Sequence, residues 1–215
     1  MQNYYDPAVT AEAARRMLEV ADDFRGNNNF EYDLVDIVRQ AVADRGRMLY
    51  HRAIADFKSF HKRGFQRWSR EFLELILLQD KLLGTRREFR VGNWLAQALR
   101  AGTTPAEKKL YEWNARVQIT TWGNRTCADD GKLRDYAHKE WNGLLRDFYY
   151  KRWEAYWQTL EEQLNGLPAR TLDYYAMEEP WTLARNPYPA EPEGDCIDTA
   201  REVFERIFVT GVGSL

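Results

Sequence analysis

Cysteine, histidine and any excess of one charge are what this 215-residue chain has least of, and each shortage closes off a class of function. Cys127 and Cys196 are its only thiols and form no CxxC, so neither a cystine scaffold nor a thiolate metal site is expected. His51, His61 and His138 are the only imidazoles. They show no HExxH or His-x3-His spacing and read as structural or surface residues, with no metal and no cofactor expected. The 31 basic and 33 acidic side chains nearly cancel and form no block of like charge, which argues against a nucleic-acid partner. No run reaches the roughly 18 apolar residues of a membrane-spanning helix, and the first residues lack the basic start and apolar core of a signal peptide. No membrane partner is expected. GxSxG, P-loop and GxGxxG patterns are also missing, which leaves nucleotide binding and elbow-type acyl transfer without a foothold.

Aromatic residues are plentiful: 8 Trp, 12 Tyr and 10 Phe. Such rings fill cores and also stack on sugars, and composition alone does not separate the two uses. Their spacing is helical almost throughout. Leu34, Val38, Ala41, Val42 and Leu49 predict one long amphipathic helix from about Phe30 toward His61, with Gly64 separating it from the next. That next stripe is Trp68, Phe72, Leu75, Ile76, Leu82 and Leu83, ended by Gly84 as a left-handed residue. Thr104, Pro105 and Glu107 spell a capping box, and the helix it starts carries Leu110, Trp113, Val117 and Thr121 on its apolar face as far as Trp122 and Gly123. A further aromatic helix is expected from Tyr136 to Leu164, closed by Gly166, and its face from Phe148 to Leu160 reads as core. Leu167 to Gly194 is proline-rich and irregular, with at most a short helix; Asp195 then caps a terminal helix with Asp198 in its first turn. Alternation never holds long enough for a strand. The expectation is an all-α bundle of about seven helices, with a proline- and aromatic-rich irregular segment before the last, forming one domain over residues 1–215.

Between two of these helices lies TTWGNRTCADDGKLRDYAHKEW, Thr120 to Trp141, unusually rich in rings and hydrogen-bonding groups for a connection. Trp122 and Tyr136 can stand at the rim of one end of the bundle, with core or hinge packing as the competing reading. The acid pairs Asp22-Asp23, Asp129-Asp130, Glu161-Glu162 and Glu178-Glu179 read as solvated, because neighbours on one turn point apart whereas glycosidic chemistry needs two carboxyls facing each other. The sequon at Asn124 is treated as a chance match.

Three blocks, FEYDLVDIVRQA, YEWNARVQITTWG and LRDYAHKEWNGLLRDFYYKRW, followed by GD and a final helix, together resemble the C-terminal α-helical domain of the α-N-acetylglucosaminidases, glycoside hydrolase family 89, in a bacterial-like form. The resemblance runs from about Asn3 to Phe208. It implies a longer parent in which this domain packs on a catalytic TIM barrel. It also implies a retaining mechanism whose two glutamates lie in that barrel, so no catalytic residue is expected here. For the loop it implies a place beside the sugar, with Trp122 as a stacking wall for a terminal N-acetylglucosamine, Tyr136 as a hydroxyl-bearing contact and Leu133 as an apolar lining residue. Gly123, Arg116 and Asp135 would support them, Arg116 by tying the helix end to the loop and Asp135 as a cap or supporting acid. The stretch NRTCADDGK is longer than the animal pattern.

The implied partners are the catalytic barrel and an N-acetylglucosamine-terminated glycan. A homo-oligomer through the barrel-facing surface is expected of the chain alone. Two alternatives stand beside this reading: a stand-alone helical module binding a protein or carbohydrate, and an independent hydrolase drawing acids such as Glu71 or Glu140 from distant helices. The compartment is left open, with a periplasmic or secreted bacterial parent as the reading the resemblance allows.

Overall fold

A computed structural model describes residues 5–209. It contains eight α-helices among them: α1 (Pro7–Val20), α2 (Asn28–Lys58), α3 (Lys62–Leu83), α4 (Val91–Ala101), α5 (Pro105–Gln118), α6 (Tyr150–Leu164), α7 (Tyr174–Leu183) and α8 (Cys196–Phe208). A single backbone bridge, Arg90 to Asn142, is the nearest approach to β-structure among the described residues. The fold is all-α, as the helical periodicity of the sequence predicts.

The long pair α2 and α3 forms the spine, with α1 and α8 on one side, α6 on the other, and α4 and α5 at the end where α7 joins. Leu34, Val38 and Leu49 of α2 are fully buried with Phe65, Leu82 and Leu83 of α3 and Ile197 and Ile207 of α8. The aromatic face of α6 completes this core. Trp153 meets Phe72 edge-on with ring centroids 4.7 Å apart, and Trp157 meets Phe65 at 5.9 Å. Each such pair adds about 0.5–1.5 kcal/mol beyond the area it buries.

Local signals hold at several ends. Thr104 Oγ1 accepts the Glu107 amide at 3.2 Å, while the Glu107 carboxylate accepts the Thr104 amide at 2.9 Å and the Thr103 amide at 2.8 Å. The Asp195 carboxylate accepts the Asp198 amide at 2.8 Å, and Gly166 closes α6 at φ +84°. Thr104→Ala should therefore lower stability by about 1 kcal/mol in a thermal melt. The Thr103 hydroxyl, which donates to the same Glu107 carboxylate at 2.5 Å, and the Thr104 and Thr103 amides hold that carboxyl at about 2, below its ordinary 4.5. A depressed carboxyl stabilises above its unfolded pKa, so this contribution should be intact above pH 4.5 and fade as the pH falls toward 2. A Glu107→Gln chain that melts with the same acid dependence would refute it.

Other expectations need correction. The break between α2 and α3 falls at Ser59 to His61, where Phe60 takes φ +57°; Gly64 lies inside the first turn of α3. It is glycine for space, since a Cβ there would stand 1.9 Å from Asp56 Oδ2. Gly84 is right-handed, at φ −64°, and its carbonyl turns out of the helix to accept Arg90 at 2.5 Å and the Glu193 amide at 2.9 Å. No helix begins at Tyr136. The chain turns through residues 132–142, and helix starts only after Gly143, at φ +84°, with a π-helical turn over Leu145–Tyr149 leading into α6. Buried Asp80, reaching from α3, caps that start by accepting the Gly143 amide at 2.6 Å and the Arg146 amide at 3.2 Å. Finally, the apolar face of α5 divides: Val117 and, just beyond the helix, Thr121 are buried, but Leu110 is 50% and Trp113 37% exposed, while Glu112, Ala115 and Arg116 face inward.

Candidate carbohydrate-facing loop

The loop starts where α5 runs out of helix. Ile119, Thr120 and Thr121 are buried, Thr120 Oγ1 donates back to the Arg116 carbonyl at 2.6 Å, and the Trp122 amide reaches the Val117 carbonyl at 2.8 Å. Trp122 itself takes φ +64°, a left-handed conformation that strains any residue with a Cβ, while Gly123 beside it has no positive φ. Gly123 is needed for proximity, because a Cβ there would lie 2.9 Å from that of Cys127. The residues after it wind into one π-helical turn, Thr126–Asp130.

The return path is held as firmly. The Leu133 amide donates to the Cys127 carbonyl at 3.2 Å and the Asp135 amide to the Thr120 carbonyl at 2.9 Å, so the loop closes on its own beginning. Among the described residues, four non-glycine positions carry positive φ: Phe60, Trp122, Lys132 and Asp135. Three of them are in this loop. Strain held in place by its surroundings is a mark of functional segments. Its product is a rim: the Trp122 and Tyr136 rings pack with centroids 4.9 Å apart at 52°, Trp122 half-buried and Tyr136 72% exposed, with half-buried Leu133 three residues before Tyr136. Such a rim offers one apolar wall and a phenolic hydroxyl.

Asp135 caps no helix. Its carboxylate accepts the Tyr149 hydroxyl at 2.9 Å and pairs with Arg152, which also lies 2.6 Å from Glu178. Glu178 in turn pairs with Arg134, and Arg134 with Asp129. Burial, reinforced by Asp135, pushes the Tyr149 hydroxyl far above the usual phenol range, so it stays a donor. Burial works to lower the Arg152 guanidinium, but Asp135 and Glu178 prevail and raise it. Glu178 is 3% exposed, which corrects the expectation of a solvated Glu178-Glu179 pair. Tyr175, Glu178 and Trp181 lie three residues apart on the buried face of α7, and this periodicity is the signal that could have revealed it.

The Arg116 guanidinium turns away from the loop. It is fully buried, donates to Glu112 at 2.8 Å, to the Asn186 carbonyl at 2.9 Å and to the Trp181 carbonyl at 3.4 Å, and lies 4.9 Å over the Trp181 ring. Both cysteines are free, and burial raises the Cys196 thiol to about 11. Among the described residues no group of three or more His, Cys, Asp or Glu side chains is placed to share a metal ion. No described helix is long and apolar enough to cross a membrane. Glu140 is engaged by Arg39 at 2.6 Å and Gln79 at 2.9 Å, and Glu71 by Arg67 at 2.9 Å.

Comparison with known proteins gives a consistent result. The family model described as the alpha-N-acetylglucosaminidase (NAGLU) C-terminal domain matches residues 1–206. A curated human relative, Alpha-N-acetylglucosaminidase, is 30% identical over 211 residues, covering 95% of this chain and 28% of its own length. A solved family 89 glycoside hydrolase from Clostridium perfringens, in complex with 2-acetamido-1,2-dideoxynojirmycin, superposes with a TM-score of 0.91 at 33% identity, over 98% of this chain and 25% of that one. A second structure of a Clostridium perfringens family 89 hydrolase, in complex with PUGNAc, gives the same TM-score and identity over 97% of this chain and 24% of its own. A third, also from Clostridium perfringens, holds its substrate GlcNAc-alpha-1,4-galactose. The chain thus spans about a quarter of the length of the relatives it matches.

Proposed function

The chain belongs to the family of α-N-acetylglucosaminidase C-terminal domains, and from that membership we propose that it is one all-α domain of a longer retaining glycosidase. In this reading it packs against the catalytic domain and closes one side of the pocket in which a terminal α-linked N-acetylglucosamine is hydrolysed. Trp122 stacks on the sugar, the Tyr136 hydroxyl contacts it, and Leu133 adds apolar lining.

The observation that carries the reading is the loop itself: a strained, tightly tied segment whose net effect is to hold two rings on the surface. A loop that only joined α5 to α6 would gain nothing from three left-handed residues. The exposed pair Leu110 and Trp113 supports it as well, because it leaves an apolar patch on α5 only partly covered by this chain. The catalytic domain would cover it in the parent. A second copy would cover it in the chain alone.

In this reading the acids that break the glycosidic bond come from outside these residues, and the domain contributes by positioning. The test is hydrolysis of an aryl α-N-acetylglucosaminide by the 215-residue chain, beside the longer protein that contains it. The chain should be folded and helical by circular dichroism yet inactive, and the longer protein active. Turnover by the chain alone, surviving repurification, would place the acids within it and overturn the reading.

A further inference from the structure

Tyr136 follows two residues that are both tied to one buried carboxylate. Arg134 pairs with Glu178 directly, and Asp135 is held by Arg152, whose Nε stands 2.6 Å from Glu178 Oε1. Arg152 Nη2 donates to Asp135 Oδ1 at 3.2 Å, and the Tyr149 hydroxyl donates to the same oxygen at 2.9 Å. Asp135 carries φ +60°, so the direction in which the chain delivers Tyr136 depends on these partners keeping it there. The other arm of the loop is fastened to the same helix. Arg125 donates to Asp173, the N-cap of α7, at 2.8 Å, and lies 4.9 Å over the Tyr175 ring. Helix α7 therefore grips the loop at both arms, and Glu178 is the grip nearest Tyr136.

Glu178 is 3% exposed and reaches the rim through Arg134 and Arg152. A buried carboxylate between two guanidiniums is a costly device for holding a loop, and an apolar contact of similar volume would hold it as well or better. What ionic hydrogen bonding adds is direction: the Arg152 guanidinium forks onto Asp135 and fixes its orientation, while Glu178 accepts one hydrogen bond from Arg134 and holds Arg152 by charge at close range. We propose that Glu178 is a positioning residue for glycosidic hydrolysis, setting the Tyr136 side of the sugar-facing rim through Arg134 and through Arg152 and Asp135. This rests on the reading of the rim given above.

The test uses the full-length protein, an aryl α-N-acetylglucosaminide as substrate and 2-acetamido-1,2-dideoxynojirimycin as inhibitor. Glu178→Gln keeps the side-chain shape and removes the charge. It should lower kcat/KM on the order of tenfold and weaken the inhibitor in parallel, short of the hundredfold that gross misplacement can bring. Arg134→Gln, which cuts the direct arm together with the Arg134 contacts to Asp129 and the Tyr174 ring but leaves the α7 residues unchanged, should move both quantities in the same direction by a smaller factor. The decisive readout is the double-mutant cycle with Tyr136→Phe. Acting through the rim, Glu178→Gln should cost markedly less in the Tyr136→Phe background than in the parent, whereas a merely structural role would give independent, multiplying losses.

Independent losses would overturn the proposal. So would parental kcat/KM and inhibition in Glu178→Gln while Trp122→Ala is impaired. If Glu178→Gln does not fold, the cycle is run with Arg134→Gln, and independence there overturns it equally. Parental activity in Trp122→Ala would instead remove the rim from the pocket, and the reading beneath the proposal with it.

Discussion

Replacing Trp122 by alanine in the full-length protein should lower kcat/KM toward an aryl α-N-acetylglucosaminide by about a hundredfold, which corresponds to about 2.7 kcal/mol of lost transition-state stabilisation. The size follows from position. A ring that stacks on the sugar holds it in the pose the catalytic acids need, and misplacement on the ångström scale carries a penalty of that order. The fold should survive, because Trp122 is half-buried at the end of the bundle and its ring packs on Tyr136. Tyr136→Phe should cost less, since it keeps the ring and removes only the hydroxyl. Both variants should retain the far-ultraviolet spectrum of the parent and melt within a few degrees of it. Should both hydrolyse substrate at the parental rate, the rim is not part of the pocket.

Features of this fold are legible in the sequence where they are local. The capping box at Thr104, the Asp195 cap and the Gly166 stop are made by residues within a turn of each other, and sequence spacing defines them. Glycines mislead where their reasons are tertiary. Gly64 is small because Asp56 is 1.9 Å from where its Cβ would be, and Gly84 because Asn142 approaches across the fold. Periodicity starts the helical run that leads into α6 at Tyr136, eight residues before its first helical residue Leu144, since the cap of that run is Asp80, more than sixty residues back in the chain. On α5 the expected stripe is buried at Val117 and Thr121 but exposed at Leu110 and Trp113. Periodicity identifies which residues share a face and does not say what that face meets.

The loop is legible in place but only partly in construction. Its rings mark it, and the family resemblance sets them beside a sugar. Left-handed Trp122 is hidden, because a tryptophan beside a glycine suggests that the glycine takes the unusual conformation. Hidden too is the ionic chain from Asp129 through Arg134, Glu178 and Arg152 to Asp135, whose members are spread over about fifty residues. Acids adjacent in sequence look solvated until the buried face of their helix is known, and Glu178 sits on that face while Glu179 does not.

Removing Arg116 should produce a large loss of stability. The guanidinium is fully buried, and it satisfies the Glu112 carboxylate, the Asn186 carbonyl and, more distantly, the Trp181 carbonyl while lying over the Trp181 and Tyr188 rings. Arg116→Ala leaves the buried Glu112 carboxylate only its 3.8 Å contact with Arg185 and uncovers two carbonyls, a change that costs about 3 kcal/mol. For a chain of this length that is a fall in melting temperature of about 10 °C. Arg116→Lys should recover only part of it, because an ammonium cannot fork between Glu112 and two carbonyls while stacking on a ring.

The combined Glu112→Leu, Arg116→Met chain separates the ion pair from the rest. It removes the stranded charge yet leaves the Asn186 and Trp181 carbonyls without their donor, so it should melt between Arg116→Ala and the parent. Full recovery would mean that the pair alone matters and that the carbonyl contacts contribute nothing. The distinction bears on the loop, because those two carbonyls are where α5 holds the C-terminal end of α7, and Glu178 rides on α7. On the proposed reading, Arg116→Ala in the longer protein, assayed well below its melting temperature, should therefore lose activity in excess of its unfolded fraction, through a loosened α7 rather than through any contact with the sugar.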